Sequence, residues 1–181
     1  MTGEVSTMQG WVQFEMGNIA AAQSNFNKAN SMSANNPVVQ NNLGAVALKN
    51  GDLKQAEIYF GAATGAGDEV NYNKGIVAIK SGDYAAAVNY FGQCNCVNAA
   101  LANVLAGNNN EALKKLNAEN KECPMSYYLK AVIGARTNDA TAVIENLKKA
   151  CSLDGSFKQL AATDMEFAKF FENNDFIAIT K

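Results

Sequence analysis

The stretch Asn41–Ala63, NNLGAVALKNGDLKQAEIYFGAA, sets a run of helical periodicity on either side of a Gly51-Asp52 turn and places Gly44 inside the first run. A glycine in a helix interior costs about 1 kcal/mol relative to alanine, so its presence there asks for a compensating contact. The arrangement recurs along the chain. At residues 74–94, KGIVAIKSGDYAAAVNYFGQC sets Gly75 under Gly44, Gly82 under Gly51, Ala87 under Ala56 and Phe91 under Phe60, 31 residues on. Upstream, Gly10, Gly17, Ala22, Phe26 and Ala29 form the same series 34 residues before the Gly44 set. Downstream, Ala100, Gly107, Ala112 and Leu116 make a shorter copy 25 residues after Gly75, and Ala131, Asn138, Val143, Leu147 and Ala150 a fifth, 31 further on. A period in this range marks stacked supersecondary units, each burying its neighbour's apolar face.

Composition narrows what such an array can do. Of the 181 residues 48% are apolar and 18% charged, as befits a folded chain. The net charge of −2 supplies no field to hold phosphate, so nucleic acid is not expected as a partner. No run of 18 apolar residues occurs, and residues 1–25 lack the sections of a signal peptide, so neither membrane insertion nor a self-carried export address is expected. The chain has no histidine, which removes the commonest general base and the usual catalytic zinc ligand.

The remaining candidates for chemistry have structural readings. Cys94, Cys96, Cys123 and Cys151 do not match zinc-ligand spacing. Cys94 and Cys151 fall near the ends of second helices, where a thiol packs as a small hydrophobe. Cys96 and Cys123 fall in loops on the same edge of the array, where a disulfide is conceivable in an oxidising compartment but not expected, because equivalent points of adjacent repeats lie about 8 to 10 Å apart, beyond disulfide reach. Neither GAATGAG nor the glycines near Cys94 form a phosphate loop. Glu15, Glu57, Glu111 and Glu145 read as solvated helix faces. No cofactor, metal site or catalytic group is expected.

These residues resemble the tetratricopeptide repeat, a helix-turn-helix unit of roughly 34 residues. The likeness lies in the small residue in mid first helix, the Gly-Asp turn, and the Ala, Phe and Ala of the second helix. It spans residues 3–151, with departures. The aromatic that usually precedes the small residue by four is missing until Tyr127, and the closing proline is absent or displaced, as at Pro37. The resemblance implies an all-α, right-handed superhelical solenoid of five helix pairs, at about 3–36, 37–67, 68–92, 93–122 and 123–155. Gly10, Gly44 and Gly75 then act as spacers between paired helices. Gly51 and Gly82 end helices in the left-handed conformation, with Asp52 and Asp83 capping the next. Residues 156–181, with helical readings at 156–163 and 164–172, are expected to cap the last pair, because a terminal repeat has no neighbour to cover it. At the other end no cap precedes Gly3, so a longer parent chain is expected.

The family presents side chains of the first helices on a concave face. Asn42, Asn73 and Asn98 each lie two positions before the small residue, as an asparagine ladder does, although local hydrogen bonds are the better account of them. The Lys and Arg of a carboxylate clamp are missing; the matching positions hold Thr7, Asn41, Tyr72, Val97 and Tyr128. One residue after the small position stand Trp11, Ala45, Ile76, Leu101 and Val132. Four after it stand Phe14, Leu48, Ile79, Val104 and Ala135. Such an apolar stripe should not face water uncovered. It is expected to receive a protein or peptide segment, to be covered by a second copy of the chain, or to close by tight winding. The expected function is a non-catalytic interaction scaffold, the alternative being a self-association domain with no separate ligand. The whole chain also resembles the C-terminal repeat region of larger bacterial cell-envelope proteins, which implies an envelope or periplasmic setting.

Overall fold

The computed structural model describes residues 2–119 and 122–181, and every regular element among them is helical. Five pairs run in order: α1 (Gly3–Glu15) with α2 (Ile19–Met32), α3 (Pro37–Lys49) with α4 (Leu53–Ala62), α5 (Asp68–Ser81) with α6 (Tyr84–Phe91), α7 (Val97–Leu105) with α8 (Asn109–Ala118), and α9 (Pro124–Arg136) with α10 (Ala140–Leu153). Three short elements close the chain: α11 (Ser156–Thr163), a 3-10 helix (Met165–Phe170) and α12 (Asn174–Thr180). The chain divides into two compact units, Met1–Phe91 and Gly92–Lys181. Three pairs form the first, and two pairs with the closing elements form the second.

The turns within pairs are made as their residues require. Gly17, Gly51, Gly82 and Gly107 have φ between 79° and 81°, and Asn138 takes the same region at 58° in the fifth pair. This is the left-handed conformation that glycine, and next asparagine, enters most readily. Asp52, Asp83 and Asp139 then accept from the backbone N–H of Gln55, Ala86 and Ala142 at 2.9 to 3.0 Å and cap the second helices.

The helix-interior glycines prove to be spacers with a named neighbour. A Cβ at Gly10, Gly44 or Gly75 would lie 2.5, 2.5 or 2.7 Å from the ring of Phe26, Phe60 or Phe91 on the second helix of the same pair. Each ring therefore closes on bare backbone. In the fourth and fifth pairs alanine replaces the glycine, at Ala100 and Ala131, and leucine replaces the ring, at Leu116 and Leu147.

In the first unit the apolar residues gather between pairs. Val39, Leu43 and Val46 of α3 are buried with Ala22, Phe26 and Ala29 of α2. Val70 and Val77 of α5 are buried with Ala56, Phe60 and Ala63 beside α4. In the second unit one cluster runs from Ala100 to Phe176.

The closing segment is more structured than its sequence suggests. The helix at 156–163 forms, the second reading becomes a 3-10 helix, and residues 174–180 add α12. Asn173 starts α12 by accepting from the N–H of Asp175 and Phe176, and Phe176 anchors it in the core. The cysteines also differ from expectation. Cys94 is no buried helix-end thiol: it lies in the loop before α7 and is joined to Cys96 in a disulfide, leaving Cys123 and Cys151 free. Lys115 of α8 is buried and donates to the carbonyls of Gly92 and Cys94, at 2.8 and 3.1 Å, which holds this loop in place.

Candidate partner-binding surface

In the first unit the expected groove residues sit on the first helix of each pair and are only partly covered. Trp11 is 56% exposed and Tyr72 39% exposed. Phe14, Asn42, Leu48, Asn73, Ile76 and Ile79 are half-buried. Phe14 and Leu48 lean on the two core clusters. Tyr72 meets the ring of Phe91 edge-on, with centroids 5.5 Å apart. Beside that contact Tyr72 stays partly exposed.

The asparagines of this surface are partly committed to each other. Asn73 of α5 donates its amide to the side-chain carbonyl of Asn41 on α3 at 3.0 Å, tying neighbouring first helices together. A neutral bond of this kind is worth about 1 kcal/mol net. It leaves Asn73 one N–H and its carbonyl oxygen for other partners. Asn98 lies in the first turn of α7 in the second unit and is half-buried.

In the second unit the expectation fails at two residues. Val104 is 2% exposed and Tyr128 5% exposed, so both are core rather than groove. Leu101 is half-buried and packs on the same cluster. The cause is the chain's own closing segment. Tyr128 donates its hydroxyl to Asp164 at 2.6 Å and meets the rings of Phe157 and Phe167 at 5.2 and 5.6 Å. Arg136 grips both carboxylate oxygens of Glu166, at 3.0 Å through Nε and also through Nη2, and donates to the carbonyl of Val104. Val132 and Ala135, the continuation of the apolar stripe, are buried in the cluster that holds Phe167 and Phe170. Burial first, then the bond to Asp164, pushes the Tyr128 phenol above the ordinary tyrosine range. The bond to Glu166 does the same for the Arg136 guanidinium.

The sequence Asp164-Met165-Glu166-Phe167 thus fills this part of the second unit. Asp164 accepts from Tyr128 and caps the N–H of Glu166, Glu166 takes Arg136, and Phe167 is wholly buried. Met165 points out. The pairing of Tyr128 with Asp164 was not foreseen, because the two are 36 residues apart and follow no helical or repeat spacing. No helix among the described residues is long and apolar enough to cross a membrane.

The tetratricopeptide repeat family matches residues 4–36 and 68–100. No curated protein matches the chain. Solved structures that share the fold include the following two. YrrB, a tetratricopeptide-repeat protein with an unusual peptide-binding site, is 18% identical with a TM-score of 0.66, over 83% of this chain and 85% of that chain. PilW, a widely conserved type IV pilus biogenesis factor, is 18% identical with a TM-score of 0.73, over 99% of this chain and 83% of that chain.

Proposed function

We propose that this chain, whose residues 4–36 and 68–100 match the tetratricopeptide repeat, is a non-catalytic scaffold whose first unit receives a segment of a partner protein. One comparison carries this reading. Tyr128, Val132 and Ala135 are buried beneath the closing segment, whereas their repeat counterparts Tyr72, Ile76 and Ile79 remain partly exposed. Aromatic and branched residues left in this state favour a segment that places apolar side chains over Ile76 and Ile79 and an aromatic or aliphatic anchor beside Tyr72. Asn42 and Asn73 supply backbone-directed hydrogen bonds at its edge. Trp11, Phe14 and Leu48 extend the apolar strip. YrrB is a relative in fold that binds peptide, which agrees with this use. An envelope or periplasmic setting in a bacterium is part of the same proposal, supported by the likeness to envelope repeat proteins. A second copy of the chain on the same strip is the alternative.

The test is capture from a lysate with the full chain as bait, repeated with Tyr72→Ala combined with Ile76→Asp. The variant places an unpaired carboxylate where apolar contact is needed and should lose the captured protein while keeping its circular dichroism spectrum. Capture that survives the substitutions would move the binding surface elsewhere. Self-association abolished by them would favour the alternative.

A further inference from the structure

The second unit opens on the loop Gly92-Gln93-Cys94-Asn95-Cys96, which leads into α7 and carries the disulfide between its two cysteines. Gly92, Gln93 and Asn95 are exposed and both cysteines half-buried, so the loop is open to a solute. The bond spans a sequence separation of 2. A cross-link over so short a loop removes little freedom from the unfolded chain, because its effect grows with loop length. The loop is also held without it, by Lys115 on the carbonyls of Gly92 and Cys94. As a staple the disulfide is close to redundant.

Two features beside the pair favour a negative sulfur. Lys115 is 6% exposed, and among the described residues no carboxylate pairs with its ammonium, which meets only the two carbonyls. A buried cation with no anion beside it is costly, and a thiolate in the loop that it already grips would offset that cost. Cys96, for its part, is the N-cap residue of α7, with extended backbone at φ −131° and ψ 157°. Tied to Cys94, its side chain makes no bond to the first turn of the helix. Once freed, the sulfur occupies the position that the carboxylate of Asp52 occupies on α4, before the positive end of the helix dipole.

We propose that Cys94 and Cys96 are a redox-active pair that exchanges two electrons with a dithiol, Lys115 and the start of α7 stabilising the Cys96 thiolate. Reduction begins when one thiol of the dithiol loses its proton to solvent and its sulfur attacks Cys94 Sγ. A bond forms between those two sulfurs, the Cys94–Cys96 bond breaks, and the electron pair leaves on Cys96 Sγ. Cys96 departs rather than Cys94 because its thiolate is the stabilised one. The second thiol of the reductant then attacks its own sulfur in the mixed disulfide. Cys94 leaves with that electron pair and takes the proton this thiol gives up. The dithiol ends as a disulfide, and the chain as a Cys94 thiol with a Cys96 thiolate. The reverse sequence restores the bond. The exchange is stoichiometric and asks nothing of the strip at Tyr72, Ile76 and Ile79.

The test uses the full chain, dithiothreitol as the dithiol, and alkylation followed by tryptic mass spectrometry. Residues 81–114 emerge as one peptide holding both cysteines, apart from the peptides of Cys123 and Cys151. The pair should open under dithiothreitol in native buffer and close again under oxidised glutathione, with the circular dichroism spectrum unchanged. In Cys94→Ser, where Cys96 is the loop's one thiol, alkylation should persist at about pH 6.5, below the ordinary cysteine range. Adding Lys115→Gln, which keeps a donor for the carbonyls and removes the charge, should slow it by about fivefold or more at that pH. Lys115→Arg should preserve the rate. The dithiothreitol reaction and the Cys94→Ser profile need no change at Lys115, so they decide even if Lys115→Gln fails to fold. A pair that resists dithiothreitol until the chain is unfolded, helical signal lost on reduction, cysteines that stay thiols under oxidised glutathione, or an alkylation rate indifferent to Lys115→Gln would each overturn the proposal.

Discussion

At the scale of single residues, Gly44 and Phe60 form one unit of information. The ring occupies the volume of the missing Cβ, so neither residue can change alone without a response from the other. Gly44→Ala gains about 1 kcal/mol of helix propensity but drives a methyl into the ring, an overpacking that costs about 1 to 3 kcal/mol. A net loss of stability is expected in chemical denaturation. Phe60→Leu should relieve it, because the fourth and fifth pairs already use the alanine and leucine combination at these two positions. A double-mutant cycle should show favourable coupling of about 0.5 kcal/mol or more. Strictly additive effects would mean that the glycine is tolerated rather than required.

At the scale of elements, the 3-10 helix depends on α9 more than on itself. Six residues of 3-10 structure have poor hydrogen-bond geometry, and the segment is held by Tyr128 on Asp164 and Arg136 on Glu166. Tyr128→Phe should cost about 1.5 to 3 kcal/mol at neutral pH, the worth of a hydrogen bond to a charged group. It should also change the alkaline limb of the stability curve. The folded-state value of this phenol is raised, so its contribution is complete below the unfolded value of about 10 and is lost as pH rises toward the folded value. Above pH 10 the parent should therefore lose stability more steeply than the phenylalanine variant, by about 1.4 kcal/mol per pH unit. Parallel curves would place the tyrosine outside the linkage. This element also marks the limit of what the sequence discloses. The five pairs were legible because glycine, Gly-Asp and phenylalanine recur at fixed offsets and each governs its own turn or contact. Tyr128 and Val104 were misread as groove because repeat register assigns a residue its side of a helix. It says nothing of what a segment 30 or more residues away lays over that side.

At the scale of the whole molecule, the first and the fifth pair differ in what the described residues lay over them. α1 leaves Val5 and Val12, the counterparts of Val39 and Val46 in α3, in solvent, while α10 is covered by α11 and α12. Deleting residues 156–181 bares Val143, Leu147 and Ala150, a second-helix stripe of the sort that α3 and α5 accept within the first unit. The truncated chain is expected to melt at lower temperature and to sediment as species that grow with concentration. Val5→Lys with Val12→Lys in the same truncated chain should return it to monomer. A truncated chain that stays monomeric and melts as before would show that the closing elements are dispensable. With residues 156–181 in place the opposite rule holds. A contact that joins unlike surfaces propagates into a filament when every added subunit exposes the surface just consumed. Burial of α10 withholds that surface, so the covered end works as a chain terminator and head-to-tail growth stops before it begins.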